Sequence, residues 1–497
     1  MPGNLTRFRV FVVAKIFTHI FQQEVISMDK LLQIVSDANG FLWGTSFLIP
    51  LLCGTGLYFT LRLGFVQVSK FGTACRKLFG NFSLFGEAAG AHGMSSFQAL
   101  ATAIAAQVGT GNLAGAMTAL VSGGPGAIFW MWAAAFFGMA TNFAEACLAQ
   151  LYKERDETGH VVGGPAYYIS RGLGNNFIAK FLAGFFAVSI ILALGFMGNM
   201  VQANSISDAF NGAFGVDVRI TGGVLAAVAG LIFIGGVKRI ASVTEKLVPI
   251  MAILYVVVGL ALIVMNISHI PAVFGEIFAC AFAPRAVWGG MAGVAVAQAA
   301  RYGIARGLFS NEAGMGSTPH AHAAANVAHP VEQGVLGIIA VFIDTFVVLN
   351  ITVFAVMSSG VLDNNFVEGG ANLRGISLVQ AAFAQHFLGS WGYPFVAVCL
   401  LFFAFSTVIG WYYFGETNIR YLFGAKALLP YRLLVMAFIF TGSVLKIDLV
   451  WELSDFFNGI MVIPNLIAIL FLSGKVAKLL KEYNAGIKFD RDAFLRG

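Results

Sequence analysis

The chain has 497 residues, of which 58% are hydrophobic and 11% are charged, and its mean hydropathy is +0.81. Soluble domains carry about 25% charged residues, so this composition excludes an ordinary water-soluble protein, and it equally excludes an intrinsically disordered chain. The formal net charge of +6 does not indicate nucleic-acid binding, because in a membrane protein the position of each Lys and Arg relative to the bilayer matters more than their sum. The five cysteines lack paired spacings and predict neither a disulfide framework nor a zinc site.

Apolar runs of about 20 residues, long enough to cross a bilayer, recur along the chain. We predict eleven membrane spans, at 39–61, 95–121, 125–151, 177–204, 216–236, 243–267, 287–309, 334–360, 391–415, 430–446 and 450–473. A weakly amphipathic stretch at 271–284 is expected to rest on the membrane surface. The predicted fold class is therefore an all-α polytopic membrane protein.

The distribution of basic residues orients these spans. When the C-terminus is placed in the cytoplasm, most of the 30 Lys and Arg fall in segments that alternate to the inside. Arg301 and Arg306 are counted among them, at the predicted inner end of the seventh span. The positive-inside rule then predicts an N-terminus outside and a C-terminus in the cytoplasm.

The first 27 residues fit this topology poorly, because three basic residues would have to be translocated. Their apolar run is also too short and too interrupted for a convincing signal peptide. One interpretation is that Met28 is the natural start. Residues 1–27 would then be an upstream extension outside the fold, and 28–497 a single membrane transport domain.

Glycines and polar residues interrupt two of the spans. In the second span, Gly109 and Gly111 flank Thr110, and Asn112 follows. Lipid-facing helices disfavour this sequence, and it predicts an unwound stretch whose freed amides can bind a carboxylate and whose freed carbonyls can bind a cation. A close-packed helix crossing is the alternative. A second candidate break, 307–317, ends the seventh span.

The two breaks lie five spans apart. This spacing predicts one extra helix at 39–61 followed by two repeats of five spans each, 95–267 and 287–473. Because each repeat has an odd number of spans, the two repeats have opposite orientations. Inverted repeats with a broken helix in each half are typical of transporters that bind their substrate at the membrane midplane.

Polar side chains on other spans narrow the predicted site. Gln202 lies in the fourth span, and in the ninth span Phe403, Ser406, Thr407 and Trp411 fall on one helical face. Adjacent hydroxyls beside a broken helix offer the hard oxygen ligands that sodium prefers, although such hydroxyls also commonly bond to carbonyls of their own helix. The tryptophan, one turn further on, is expected to form a wall of the pocket.

Other polar residues leave several interpretations open. Glu145 and Asp344 are acids within spans, and a helix-pairing or interfacial role explains them as well as a functional one. His320 and His322 form an H-x-H pair without acidic partners, so no transition-metal site is predicted. The chain has no P-loop, G-x-S-x-G or H-E-x-x-H motif, so no enzyme activity is predicted and transport would draw on an ion gradient. An ion channel, a membrane-embedded enzyme and a sensor remain rival classes.

Six motifs along the chain are long and specific. They are SSFQAL at 95–100, VGTGNLAG at 108–115, GGPGAIFWMW at 123–132, NFAE at 142–145, GGPAYY at 163–168 and the stretch 307–322. Together they resemble the alanine or glycine:cation symporters, also called sodium:alanine symporters. The resemblance implies a LeuT-type fold with one extra N-terminal helix, in the bacterial inner membrane. It also implies import of a small neutral amino acid, alanine or glycine, coupled to sodium, with no organic cofactor and no nucleic-acid partner.

The resemblance further implies roles for individual residues. The implied substrate-binding residues are Thr102, Thr110, Gly111, Gln202, Thr407 and Trp411. The implied sodium ligands are the carbonyls of Ala105, Val108 and Phe403 and the hydroxyls of Ser406 and Thr407. In this scheme the amides of Thr110 and Gly111 would hold the substrate carboxylate, Thr102 would approach the amino group, and Asn112 would support a second ion site. The choice between alanine and glycine, the preferred stereoisomer, the ion stoichiometry, the use of protons or lithium, and the oligomeric state stay open.

Overall fold

Nearly all of the described chain is helical. The computed structural model describes residues 30–44, 47–80, 93–157, 159–174, 176–282, 296–362, 373–385, 388–445 and 447–496. The predictions made for 1–27 and for the start of the seventh span lie outside these residues. The helices are α1 (30–42), α2 (Leu48–Arg62), α3 (Val66–Ser69), α4 (Phe71–Gly80), α5 (Ser96–Gln107), α6 (Gly111–Gly123), α7 (Gly126–Leu151), α8 (Pro165–Gly172), α9 (Phe177–Phe214), α10 (Val218–Ile234), α11 (Gly236–Met265), α12 (Ile267–Phe282), α13 (Val296–Asn311), α14 (Pro319–Ala324), α15 (Pro330–Ser358), α16 (Ile376–Ala384), α17 (Gly389–Phe423), α18 (Ala425–Val444), α19 (Ile447–Phe471), α20 (Ser473–Asn484) and α21 (Arg491–Arg496). Strands β1 (Glu154–Arg155) and β2 (Val161–Val162) pair antiparallel after α7.

Many of the helices are apolar on their outer faces as well as inside. Within the described residues, seven helices are long and apolar enough to cross a membrane, namely α7, α9, α11, α15, α17, α18 and α19, and the bent pair α5 and α6 makes an eighth. Helices α2, α10 and α12 are apolar but shorter, so the total of eleven spans stays a prediction. Leu231, Ile253 and Val257 on α10 and α11 are more than half exposed. Lipid can cover such a surface, whereas water would drive it to aggregate.

Several predicted boundaries are wrong, because the apolar run and the helix do not end together. The first predicted span, 39–61, is divided between α1 and α2. The fourth and ninth predicted spans end too early, since α9 and α17 continue to Phe214 and Phe423. Each of these helices is followed by a glycine with positive φ, Gly215 (67°) and Gly424 (74°), a backbone conformation that terminates helices whatever the polarity of the last turns.

The helices that carry the predicted site lie at the centre of the bundle. For α15 and α17, 72% of the most apolar stretch is buried, against 28% for the peripheral α11. The stretch expected on the membrane surface forms α12, which packs on α7. Helix α5 begins with a reciprocal capping box in which the Ser95 hydroxyl accepts from the amide of Gln98 and the Gln98 side chain accepts from the amide of Ser95, both at 3.1 Å. The SSFQAL motif therefore fixes where the helix leading to the first break starts.

Candidate binding site at two helix breaks

Helices α5 and α6 are two halves of one broken span. Their axes differ by 46°, and Val108 between them is extended, with φ −81° and ψ 92°. Close packing demands both glycines of the break. A Cβ on Gly109 would lie 2.4 Å from the Thr407 hydroxyl oxygen, and a Cβ on Gly111 would lie 2.9 Å from Cα of Ser310. The structure therefore has both features considered for this motif, a broken helix and a close-packed crossing.

Two carbonyls of α5 are freed by the break. In a continuous helix the carbonyl of Ala105 would accept from the amide of Gly109, and that of Val108 from the amide of Asn112. Here the Gly109 amide donates to the side-chain oxygen of Asn112 at 3.0 Å, and the Asn112 amide donates to the Gly109 carbonyl at 3.3 Å. The carbonyls of Ala105 and Val108 are thus available to groups outside their own helix.

Five oxygen atoms of α5 and α17 converge beside these freed carbonyls. The Thr407 hydroxyl oxygen lies 2.9 Å from the carbonyl oxygen of Ala105, 3.3 Å from that of Val108 and 3.0 Å from that of Phe403. The Ser406 hydroxyl oxygen lies 3.3 Å from the carbonyl of Ala105 and 2.8 Å from that of Phe403. All five residues are buried. The structure brings together the whole implied sodium-ligand set, and the two hydroxyls also bond to their own helix.

The remaining polar groups of the first break face α9. The amide of Thr110, which we expected to meet a substrate carboxylate, donates to the side-chain oxygen of Gln202 at 3.1 Å. The hydroxyl of Thr110 and the amide nitrogen Nε2 of Gln202 have no hydrogen-bond partner among the described residues. Both side chains are at most 1% exposed. Two buried hydrogen-bond donors are therefore left unused at this place, and such groups are costly unless a ligand satisfies them.

Trp411 closes this region from α17. Its indole N–H donates to the carboxylate of Glu312, and its ring meets the ring of Phe309 edge-on with 5.7 Å between centroids. The opposite edge of the indole lies against Gly198, where a Cβ would be 2.4 Å from Cζ3. Since Gly198 is one turn before Gln202 on α9, the indole ring lies between the Gln202 face of α9 and the second break. This position is compatible with the predicted role of Trp411 as a wall of the substrate pocket.

The second break separates α13 from α14. Three of its residues have positive φ: Glu312 at 56°, Gly314 at 89° and Gly316 at 80°. Glu145 of α7 holds the segment in place, because its carboxylate accepts the amides of Gly314 at 3.1 Å and Gly316 at 3.0 Å and the side-chain amide of Asn465 at 2.5 Å. Of the roles left open for Glu145, the structure favours helix pairing, because the carboxylate joins α7 to the second break and to α19.

Asp344 of α15 connects the two breaks. Its carboxylate accepts hydrogen bonds from the side chains of Asn112 at 2.6 Å, Ser310 at 3.0 Å and Thr345 at 2.9 Å. Asp344 lies in a stretch with π-helical turns, Ile343–Leu349, and such turns are frequent at functional sites. No Lys, Arg or His forms an ion pair with this carboxylate among the described residues. Asn112, implied as a second ion ligand, therefore lies next to a buried acid whose partners here are all neutral.

Thr102 is the one implied substrate residue that the structure keeps apart from the others. Its hydroxyl donates to the carbonyl of Gln98 at 2.8 Å and lies 3.0 Å from the hydroxyl of Thr244 on α11. Helix α5 packs against α11, and this packing directs Thr102 towards α11 and away from the indole of Trp411.

The two histidines of the H-x-H pair are buried in and around α14. His320 bonds to the carbonyl of Ser317 at 2.7 Å and to the side chain of Asn418 at 2.8 Å, and His322 bonds to Gln333 at 2.8 Å. No group of three or more His, Cys, Asp or Glu side chains that could hold a metal ion occurs in the part of the chain that the structure describes. Both ring nitrogens of His320 have neutral polar partners, whereas Nε2 of His322 has none among the described residues.

A cavity of about 1070 Å³ lies between α1, α6, α9, α13, α16 and α19. Arg306, which lines it, pairs with Asp455 and lies over the ring of Trp451, 5.0 Å from the centroid. The cavity is also lined by Arg374, which the charge pattern places outside. Because Arg306 and Arg374 line the same cavity, the predicted inside position of Arg306 and the predicted outside position of Arg374 cannot both be right.

Three residues at the site were not predicted from the sequence: Ser310, Glu312 and Asn465. Glu312 could have been recognised as a candidate, since it is an acid inside a glycine-rich break. The other two could not be recognised, because a single serine or asparagine in an apolar span is most often a local helix-bonding residue. Their roles follow only from which helices pack against the two breaks.

Two discontinuous helices that meet inside a bundle, with freed backbone groups at the meeting point, define a class of secondary membrane transporters. The chain belongs to the sodium:alanine symporter family, whose sequence profile matches residues 28–495. It is therefore a multi-pass membrane protein of a sodium-coupled transporter family and not of an enzyme family.

Curated relatives match along almost the whole chain. The chain is 43% identical over 451 residues to the sodium/alanine symporter AgcS of Methanococcus maripaludis, covering 91% of this chain and 97% of that protein. It is 43% identical over 467 residues to the probable sodium/glutamine symporter GlnT of Bacillus subtilis, covering 94% and 93%. Among solved structures it is similar to MhsT in complex with L-phenylalanine, with a TM-score of 0.54 and 12% identity over 79% of this chain and 99% of that one. The fold is thus LeuT-like.

Proposed function

We propose that this protein imports a small neutral amino acid, alanine or glycine, together with sodium, by alternating access. The observation that carries the proposal is the convergence of five oxygens beside a broken helix, next to buried hydrogen-bond donors without partners. Family membership supports sodium as the coupling ion, and the relative named as a sodium/alanine symporter supports the substrate class.

Sodium would bind among the oxygens of Ala105, Val108, Phe403, Ser406 and Thr407. The set contains carbonyls and hydroxyls but no carboxylate, which fits a monovalent hard cation better than calcium or magnesium, since these take carboxylates among their oxygen ligands. A bound ion would join α5 to α17 and so fix the geometry of the first break. Sodium would therefore raise the affinity for the amino acid, with a coupling free energy of about 1–3 kcal/mol that acts equally in both directions.

The amino acid would bind on the other side of the same break. Its carboxylate would be held by the hydroxyl and amide of Thr110, the amide of Gly111 and Nε2 of Gln202, of which the hydroxyl and Nε2 have no partner here. Its side chain would face Trp411, next to Thr407. Because the indole is confined by Gly198 on one side and Phe309 on the other, the space left for a substrate side chain is small.

We further propose a second cation site at Asn112, in which Asp344 would supply the negative charge. A buried carboxylate with only neutral partners is expensive, and a cation would compensate it. Asn112 would act mainly as an anchor, because its side-chain oxygen already accepts the amide of Gly109. The measurement is the sodium:amino-acid stoichiometry from reversal potentials, which Asp344→Asn should lower by one ion if the proposal holds. An unchanged ratio would remove the second site.

The proposed architecture is that of the sequence prediction. It has one extra helix, two inverted repeats of five spans, an inner-membrane location and a cytoplasmic C-terminus. Lys475, Lys478 and Lys481 on α20 support this orientation. Reporter fusions after α20 and before α10 test it, since the two positions should give opposite signals.

The experiment on transport itself uses purified protein in liposomes. Labelled alanine and glycine are offered with an inward sodium gradient, with equal sodium on both sides, and with potassium in place of sodium. Accumulation above the outside concentration, only under the gradient, is expected. A channel would equilibrate the amino acid without concentrating it, and an enzyme would convert the label. Failure of both amino acids to accumulate would overturn the proposal.

A further inference from the structure

The proposed substrate is a zwitterion, and the residues proposed to bind its carboxylate leave its ammonium group without a partner. Glu312 of the second break is completely buried. Its carboxylate accepts hydrogen bonds from the indole of Trp411 and from the Ser317 hydroxyl at 2.5 Å. Within the described residues, Glu312 forms no ion pair with any Lys, Arg or His. It is an acidic side chain inside the bundle with no basic partner in this part of the chain.

The position of Glu312 is set by Trp411. One edge of the indole ring donates to Glu312, and the opposite edge packs on Gly198, one turn from Gln202. The unpartnered donors of Gln202 and Thr110 therefore lie on one side of this ring and the carboxylate on the other. A small molecule bound next to the indole would meet hydrogen-bond donors at one end and a negative charge at the other.

Burying the Glu312 carboxylate in this arrangement costs free energy unless a cation binds next to it. Two hydrogen bonds from neutral groups compensate only part of the cost of burying a carboxylate. The backbone of Glu312 is also left-handed, at φ 56°, a conformation that non-glycine residues adopt rarely and mostly where function retains it. Thr102, the residue considered earlier for the amino group, is directed to Thr244 instead.

We propose that Glu312 binds the ammonium group of the transported amino acid. The inference rests on the proposed function and adds the residue that recognises the protonated amine of the substrate. Carboxylic acids of the same shape without the amine, such as lactate, would leave Glu312 uncompensated and would bind far more weakly.

Glu145 provides a matched control for this role. It is an equally buried acid that contacts the same segment, but its partners are the amides of Gly314 and Gly316 and the side chain of Asn465. A Glu145→Gln variant therefore disturbs the support of the second break without removing the charge that faces Trp411. Glu312→Gln removes that charge while keeping an oxygen that can accept from Trp411 and Ser317.

The test measures equilibrium binding of labelled alanine at saturating sodium, competition by L-lactate, and binding of radioactive sodium without amino acid. For Glu312→Gln we expect alanine affinity to fall at least tenfold and competition by L-lactate to strengthen, because the carboxylate that lactate leaves uncompensated is gone, while sodium binding stays within threefold of wild type. Undiminished alanine binding by Glu312→Gln would overturn the inference. So would a parallel loss of alanine and sodium binding like that of Glu145→Gln, because it would indicate a positioning role.

If Glu312→Gln does not fold, the role of Glu312 is tested with Glu312→Asp and by comparing alanine with lactate as ligands of the wild-type protein. Glu312→Asp keeps the charge but withdraws it, so alanine affinity should fall without a gain in lactate competition. Wild type that binds lactate as tightly as alanine would contradict the inference without any variant. The two proposals also fail separately: wild-type uptake that ignores sodium overturns the proposed coupling, whereas normal alanine binding by Glu312→Gln overturns only the role of Glu312.

Discussion

Removal of the Thr407 hydroxyl is the sharpest perturbation of the proposed sodium site. This oxygen lies within 3.3 Å of three carbonyl oxygens, those of Ala105, Val108 and Phe403. Thr407→Ala deletes one of the five proposed ligands and leaves the carbonyls in place. A sodium–hydroxyl contact is an ion–dipole interaction of a strength comparable to a hydrogen bond to a charged group, about 1.5–3 kcal/mol, and each 1.4 kcal/mol is roughly a factor of ten in affinity. We therefore expect sodium affinity to fall about tenfold to a hundredfold.

The assay is sodium-dependent alanine uptake into liposomes, with the half-saturating sodium concentration as the readout. Thr407→Ser is the matched control, because it keeps the hydroxyl and loses only a methyl group; we expect it to stay within about threefold of wild type. By linkage, Thr407→Ala should also weaken alanine binding at low sodium more than at high sodium.

Two results would refute the reasoning about Thr407. A Thr407→Ala variant with the wild-type half-saturating sodium concentration would remove this oxygen from the ion site. Equal losses in Thr407→Ala and Thr407→Ser would trace the effect to packing of the methyl group against the break, where Gly109 leaves no room. Ser406→Ala should have a smaller effect, because its hydroxyl reaches only one of the two freed carbonyls.

Three further predictions follow from the same contacts. Gly109→Ala should abolish sodium-dependent uptake, because its Cβ would lie 2.4 Å from a threonine hydroxyl, whereas Gly115→Ala, with no contact nearer than 3.7 Å, should transport normally; similar activity in the two variants would contradict this. Trp411→Ala should widen the pocket and admit leucine, measured as the ratio of alanine to leucine uptake, and an unchanged ratio would count against its role as a wall. Arg306→Ala should impair uptake by leaving the partly buried Asp455 unpaired, and the double variant with Asp455→Ala should recover part of it; a double variant worse than both single ones would argue against the pair.

Local sequence was sufficient for features that depend on one segment at a time. A glycine pair in an apolar span predicted a broken helix at 108–112, and the break is there because the backbone loses two hydrogen bonds within that segment. The face shared by Ser406 and Thr407 follows from helical periodicity alone. Together with the family resemblance, these patterns placed all five implied sodium ligands before any distance was known.

Features that depend on which helix packs against which could not be predicted in this way. Composition could not show that Arg306 lines the same cavity as Arg374, since a broken span has the same apolar sequence on both sides of the break. The proposed role of Glu312 in place of Thr102 also depends on helix packing. The packing of α5 on α11 directs Thr102 away from Trp411, and the left-handed backbone at residue 312 directs Glu312 towards it.

The sequence by itself thus determined that the chain spans a membrane, where one span breaks and which oxygens that break sets free. Only the tertiary structure decided which side chains complete the site, because Glu145, Glu312 and Asp344 find their partners on other helices. The physical reason lies in the range of the interactions. Whether a helix forms or breaks depends on hydrogen bonds between residues a few positions apart. The partners that stabilise a buried acidic side chain depend on which helices the fold packs around it.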